Sequence, residues 1–256
     1  MTQPIHVHFE EGVEDGALVR RLIFEGATDP GGPRIDCWWR MPGITALPSL
    51  PVLDSLVCGH VLWAAMLGQD LVVHGPVSRG GLYNMGQLLA LRHALSPERY
   101  RRPIAVIPDR VVSVSRPPDD PGLAIAALSG GLDSTFTVVR HARRLPGAAS
   151  YALAGLVIVH GYDAPLAQAD RFEIMRRRAE PLARWLDLPL HTVVTNGAQT
   201  GGRAWPQSAI PLFAGVLAQF SGRCAVGLVS GGAPHGPPRF GISHPPVRES
   251  LASNAF

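Results

Sequence analysis

The sequence predicts an α/β protein: a doubly wound parallel sheet preceded by a smaller α+β region. Three observations lead there. Through residues 119–256, short apolar runs of strand length alternate with stretches of helical periodicity. The runs are largely apolar, of the kind buried on both faces in a parallel sheet. The first of them passes directly into a turn of glycines and hydroxyl residues that opens a helix.

The bulk composition agrees. At 256 residues and 46% hydrophobic content the chain has enough apolar material for a real core. No apolar run reaches the roughly 18 residues that a membrane helix needs. The N-terminus, MTQPIHVHFEEGVEDG, is acidic and lacks the apolar centre of a signal peptide. The expectation is a cytoplasmic protein without membrane partners.

Residues 1–118 form the first region, expected to contribute substrate or oligomer contacts. Extended segments are predicted at 5–9 (IHVHF) and 34–40 (RIDCWWR), followed by a Pro-rich passage at 42–51. An apolar helix follows over 52–68, closed by Gly68. A strand at 69–75, a helix at 83–95 and a strand at 104–108 complete the region. Trp38, Trp39 and Trp63 read as core, with shaping of a substrate pocket as the alternative. The segment 116–122 (RPPDDPG) is a linker by composition.

Residues 119–256 form the second region. Strands are predicted at 123–128, 153–159, 190–194 and 225–230. In the helix between the second and third, Phe172, Met175, Ala179, Leu182 and Leu186 share a face. Arg176, Arg177 and Arg178 fall mainly on the other side and read as a solvated surface. In the next helix Pro206 suits the first turn, and Ile210, Phe213, Leu217 and Phe220 form the stripe.

Two residue counts exclude whole chemistries. All 23 basic residues are arginine; lysine is absent. A Walker lysine and a Schiff-base lysine are therefore excluded, and any phosphate clamp must use arginine, histidine, backbone N–H or metal. Cys37, Cys58 and Cys224 are far apart and form no CxxC pair, which argues against a local zinc knuckle or dithiol centre.

The turn 129–135, Ser-Gly-Gly-Leu-Asp-Ser-Thr, carries the chemistry. It stands at the carboxyl end of the first strand of the second region, where open parallel sheets bind ligands. Gly130 and Gly131 allow a tight turn and close approach of a ligand to the backbone. Asp133 or Ser134 is expected to cap the helix. The helix N-terminus favours an anion, and Ser129, Ser134 and Thr135 add hydroxyl donors. Such a set suits a polyphosphate, with Asp133 as an oxygen ligand for magnesium. GxxxxGK[ST], GxGxxG and GxSxG are all absent, so a P-loop, a dinucleotide fingerprint and a nucleophile elbow are set aside.

Ser129-Gly130-Gly131-Leu132-Asp133-Ser134 matches the SGGxDS signature of the PP-loop, or N-type, ATP pyrophosphatases. That family includes asparagine, GMP and NAD synthetases, 7-cyano-7-deazaguanine synthase and tRNA-thiolating enzymes. The resemblance covers residues 119–256. It implies a HUP-like, Rossmann-like fold, ATP and magnesium as cofactors, and cleavage between the α and β phosphates. Ser129, Gly130, Gly131, Asp133, Ser134 and Thr135 would hold ATP and its pyrophosphate, with Asp133 and Ser134 catalytic and Asp133 on the metal. The resemblance also places His160, Ser230 and Gly231 at the adenosine. Asp163, Arg203, Arg239 and His244 are candidates for the substrate or phosphate clamp. Each of these has a plainer reading: His160 as a strand-end histidine, Asp163 as a helix cap before Pro165, both arginines as surface groups, and 240–245 as an ordinary loop.

The chain departs from the family at several points. Ser230-Gly231-Gly232 lacks the Asn and Asp of several relatives. No N-terminal cysteine opens a glutaminase domain. Many relatives extend beyond the equivalent of residue 256, so this domain is expected to be minimal, truncated, or completed by the N-terminal region or a second subunit of a homo-oligomer. The leading expectation is an ATP-dependent, AMP-forming enzyme. It activates a small-molecule carbonyl or carboxylate for attack by a nitrogen nucleophile. Sulfur transfer to a tRNA or small molecule, with tRNA the less favoured partner, and non-catalytic nucleotide binding are the alternatives.

Overall fold

A computed structural model describes residues 3–29, 32–100, 102–115, 121–145, 150–200 and 208–231. The strands are β1 (Ile5–Glu14), β2 (Ala17–Glu25), β3 (Arg34–Pro42), β4 (Leu71–Ser78), β5 (Val106–Val112), β6 (Ala124–Ala127), β7 (Leu153–His160), β8 (Leu190–Thr195) and β9 (Val226–Leu228). The helices are α1 (Asp54–Cys58), α2 (Val61–Leu67), α3 (Arg79–Leu95), α4 (Leu132–Ala142), α5 (Ala169–Trp185), the single turn α6 (Gly197–Thr200) and α7 (Ala209–Leu217).

Among the described residues all the strands join one sheet of nine, in the order β5-β4-β1-β2-β3-β8-β7-β6-β9. β1, β2 and β3 form an antiparallel meander. β4 and β5 are parallel to β1, and β6, β7, β8 and β9 are mutually parallel. The two sets meet where β3 runs antiparallel to β8. The architecture is α/β, a mostly parallel sheet flanked by helices, consistent with a Rossmann-like fold.

Alternation along the strands sends side chains to two cores. Ile125, Ala127, Val157 and Val159 join α7 and the helices of the first region in the larger cluster. Ala126, Leu128, Leu156 and Ile158 pack instead against Val138 of α4 and Phe172, Ala179 and Ala183 of α5. Each fully buried valine, leucine or isoleucine among them contributes roughly 1.5–3 kcal/mol, and each alanine less. The predicted stripe of α5 is the buried one, and Arg176 and Arg177 pair with Glu173 on its outer face, as a solvated charge run should.

Two elements differ from expectation. β2 was not anticipated, because Arg20 and Arg21 interrupt its apolar run. Arg20 is nonetheless fully buried, its guanidinium bonded to Glu11 and to the backbone oxygens of Pro48 and Gln219. The helix expected over 52–68 is two helices broken at Gly59-His60, the second ending at Gly68 with φ 69° as expected. Residues 116–120 of the linker, and Pro206, lie outside the described residues. Among the described residues no helix is long and apolar enough to cross a membrane.

Candidate functional site

The chain leaves β6, steps to β7 and then β8 on one side, and returns to place β9 on the other side of β6. The carboxyl ends of β6 and β9 therefore flank a topological switch point, where open parallel sheets leave a crevice. The glycine turn leads out of β6 at that point.

Gly130 has φ +81°, and beyond its two chain neighbours no atom lies within 4 Å of the position a Cβ would take. The backbone there is bare and approachable. Gly131 is the N-cap of α4, with φ −76° and ψ 166°. The expected cap by Asp133 or Ser134 does not form. Both lie inside the first turn, past the position from which a side chain reaches the leading N–H groups. Ser134 is buried, and its hydroxyl turns back to Gly131 O and Ser129 Oγ, both at 3.1 Å, while accepting from Ser129 N at 3.3 Å. It shapes the loop from within. Asp133 is exposed in the first turn, and Thr135 is half-buried with its N–H closing the first helical bond to Gly131 O at 3.0 Å. A glycine cap brings no side-chain acceptor, so the positive end of α4 keeps its capacity for an anion.

The contrast with α3 is informative. Its N-terminus also carries two glycines, Gly80 and Gly81, beside a shallow depression of about 360 Å³. There Ser78 Oγ accepts from Gly81 N at 2.9 Å and donates to the buried Asp54 carboxylate at 2.5 Å. That helix end is already filled by the chain's own groups.

A cavity of about 140 Å³ lies over the carboxyl ends of β6, β7 and β9. Ser129 and Ser134 of the glycine turn form part of its wall, as do Asp163 after β7 and Ser230 after β9. Met175 of α5 and Phe213 of α7 reach it from opposite faces of the sheet. Tyr162 completes the apolar side. Its ring meets Phe213 edge-on at 4.9 Å and its hydroxyl donates to Leu212 O at 3.2 Å. Burial pushes its phenol well above the usual range, so it stays a neutral donor. Tyr162, Met175 and Phe213 were not singled out for the site from the sequence. Met175 and Phe213 carried only a helical-stripe signal, indistinguishable from core.

Of the remaining expected residues, His160 is half-buried, stacked on Phe172 at 4.5 Å, with Nε2 3.2 Å from Pro165 O. It does not line the cavity. Asp163 is exposed in the turn after β7, and the next helix starts only at Ala169, so it is not that helix's cap. Gly231 follows Ser230 at the edge of the described chain. Arg203, Arg239 and His244, and the whole 240–245 segment, lie outside the described residues.

Among the described residues no three His, Cys, Asp or Glu groups come together as a metal site. Asp133 and Asp163 each offer exposed carboxylate oxygens, Asp163 in the cavity wall and Asp133 outside its lining. That fits magnesium, which is commonly held by one or two carboxylates together with substrate phosphates and water. No family model, no curated protein and no solved structure matches the chain.

Proposed function

We propose that this chain is an ATP-dependent, AMP-forming enzyme of the PP-loop type, built on a doubly wound, HUP-like sheet. One observation carries the reading: the SGGLDST turn stands at the switch point with a bare glycine, an open helix N-terminus and a cavity against its serines. A plain capped βα turn would need none of these together.

In this reading the bare backbone at Gly130 and the N-terminus of α4 hold the β and γ phosphates, while the Ser129 and Gly131 N–H groups serve the loop's own serine hydroxyls. Ser134 keeps the loop in shape through its bonds to Ser129 and Gly131. Asp133 holds magnesium, which would neutralise charge on the departing pyrophosphate. Asp163 after β7 and Ser230 after β9 line the cavity on either side of the turn and would face the nucleoside and the acceptor. An acceptor oxygen attacks the α phosphorus and the α–β bridge breaks, releasing pyrophosphate. A nitrogen nucleophile then attacks the activated carbon and AMP leaves with the oxygen. The apolar wall of Tyr162, Met175 and Phe213 excludes water, which would otherwise hydrolyse the adenylate.

The sulfur-transfer alternative draws little from this structure. Cys37 and Cys58 are fully buried, and burial pushes both thiols up to about 12, so neither is a ready thiolate. Cys224 is buried too.

The test is product analysis with ATP, magnesium, ammonia and a panel of small carboxylates and amides. AMP and pyrophosphate are expected, and Asp133→Asn should cut their formation by about 10²-fold or more. ADP and phosphate as products would overturn the reading. Calorimetric ATP binding with no pyrophosphate across the panel would favour a binding protein instead.

A further inference from the structure

Eight arginines stand against four carboxylates in 132–144 and 169–185, while the whole chain is only +3. The net positive charge of the molecule therefore resides in α4, α5 and the turn after α4. Apolar side chains stand out on the same two helices. Leu132, Phe136, Ile174 and Trp185 have exposures of 85%, 60%, 52% and 58%. None of them lines the cavity at the glycine turn.

The helix period brings these groups together. On α4 the buried line is Ser134, Val138 and His141. Leu132, Phe136 and Arg140 follow one another at i+4, with Arg143 three residues further, on the opposite side of the axis. They form the outer crest of α4, about 16 Å long. On α5, Ile174, Arg178 and Trp185 share a line clear of the buried Phe172, Ala179 and Ala183. That line faces α4, because the Arg143 guanidinium lies 4.2 Å from the centre of the Trp185 ring. The two helices follow the adjacent parallel strands β6 and β7 and pack on the same face of the sheet. Arg140, Arg143 and Arg178 have no carboxylate partner among the described residues. Arg176 and Arg177, on the far flank of α5, are paired with Glu173.

We infer that this α4–α5 face docks on an anionic lipid surface. Leu132, Phe136, Ile174 and Trp185 enter the boundary between headgroups and acyl chains, and Arg140, Arg143 and Arg178 meet the headgroup phosphates. Charge complementarity selects this occupant. Two copies meeting through the face would set unpaired arginine against unpaired arginine, which disfavours a symmetric dimer. Single-stranded nucleic acid would use the arginines and the aromatic rings but leave Leu132 and Ile174 without a role. A bilayer takes both kinds of group: anionic headgroups attract the basic ones, and exposed aliphatic and aromatic side chains bury in the boundary layer, where Trp is especially suited. The apolar groups of α4 lie on a convex crest, which suits insertion between lipids better than docking of a partner helix. The contact departs from the expectation of no membrane partners, which rested on the lack of a spanning or signal segment; a surface contact needs neither. It uses none of the cavity, so it stands or falls apart from the nucleotide reading.

The test is flotation of the full chain with vesicles of phosphatidylcholine alone and of phosphatidylcholine mixed with phosphatidylglycerol. Binding is expected only to the mixed vesicles, and weaker as salt rises. Arg140→Gln combined with Arg143→Gln should weaken it about 10-fold or more. Phe136→Ser and Ile174→Ser should each weaken it several-fold. Val13→Ser, at a comparably exposed apolar position near the β1–β2 turn, should leave it unchanged. Because a variant can lose its fold, a second readout uses the unaltered protein. Lipids brominated on their acyl chains should quench Trp185, whereas Trp39 and Trp63 are buried beyond their reach. Trp185→Phe should remove the quenched component. Absence of flotation, flotation without quenching that ignores Phe136→Ser, or displacement of the vesicles by oligouridylate bound through the same arginines would overturn the inference.

Discussion

Gly130 and Gly161 both have positive φ, +81° and +120°, yet they serve different purposes. At Gly130 a Cβ would meet no atom within 4 Å. At Gly161, just after β7, it would stand 1.8 Å from the backbone oxygen of Thr195 at the end of β8. Gly130→Ala should therefore cost only the left-handed backbone term, about 1–2 kcal/mol. Gly161→Ala adds a collision with main chain that no rotamer relieves, and should exceed about 3 kcal/mol. Urea denaturation of both variants checks this; equal losses would refute the distinction. If the nucleotide reading holds, Gly130→Ala should also lose ATP-dependent stabilisation while staying folded. The first role was legible in the sequence, since paired glycines between a strand and a helix are a local signal. The second was not, because Thr195 approaches Gly161 only through the β7–β8 crossover.

The elements show where local reading succeeds and where it stops. The four strands expected in the second region all form within a few residues of their expected ends, because apolar strand-length runs are local signals. The break between α1 and α2 comes from one side chain. His60 Nδ1 lies 3.0 Å from Leu56 O, the carbonyl that a continuous helix would give to the His60 N–H. That N–H bonds Val57 O instead, at 2.9 Å. His60 is fully buried against Phe24 and Trp39, and burial depresses its pKa to about 4, partly offset by the bond to Leu56. It is held neutral in the fold. As pH falls from 6.5 toward 4 the unfolded chain takes a proton there and the folded chain does not. Stability is therefore lost across that window, by roughly 3 kcal/mol from this group. His141 and His191 are depressed in the same direction, chiefly by burial, so the isolating measurement is a difference. His60→Phe should shrink the loss of unfolding free energy between pH 7 and pH 4 by that amount. An unchanged slope would mean that His60 is protonated in the fold.

At the scale of the molecule, one sheet runs through both compositional regions, and a few long-range bonds hold the seam. Strand pairing between β3 and β8 involves only Trp39 with Thr195 and Arg40 with Val194. Asn196 extends it: its side-chain oxygen accepts from Trp38 N at 2.9 Å and its amide donates to Asp36 O at 2.8 Å, imitating a further strand residue. Behind the seam, α7 packs so closely on α1 that a Cβ at Gly215 would touch Ser55 O at 3.3 Å. Arg20 then ties β2 to Gln219 O, just beyond α7, and to Pro48 O, each at 2.8 Å. None of this was visible in the sequence, where each partner is distant and an arginine in a strand reads as surface. If these contacts couple the regions, they unfold together. Arg20→Met leaves buried carbonyls without their donor and should cost about 2–4 kcal/mol. Native-state hydrogen exchange would report where that loss is felt. The most protected amides of β1–β3 and those of β6–β8 should fall by the same free energy, because both sets open only in the global transition. A loss confined to β1–β3 would mean that the seam breaks first, leaving the crevice beside the glycine turn standing on a separately stable unit.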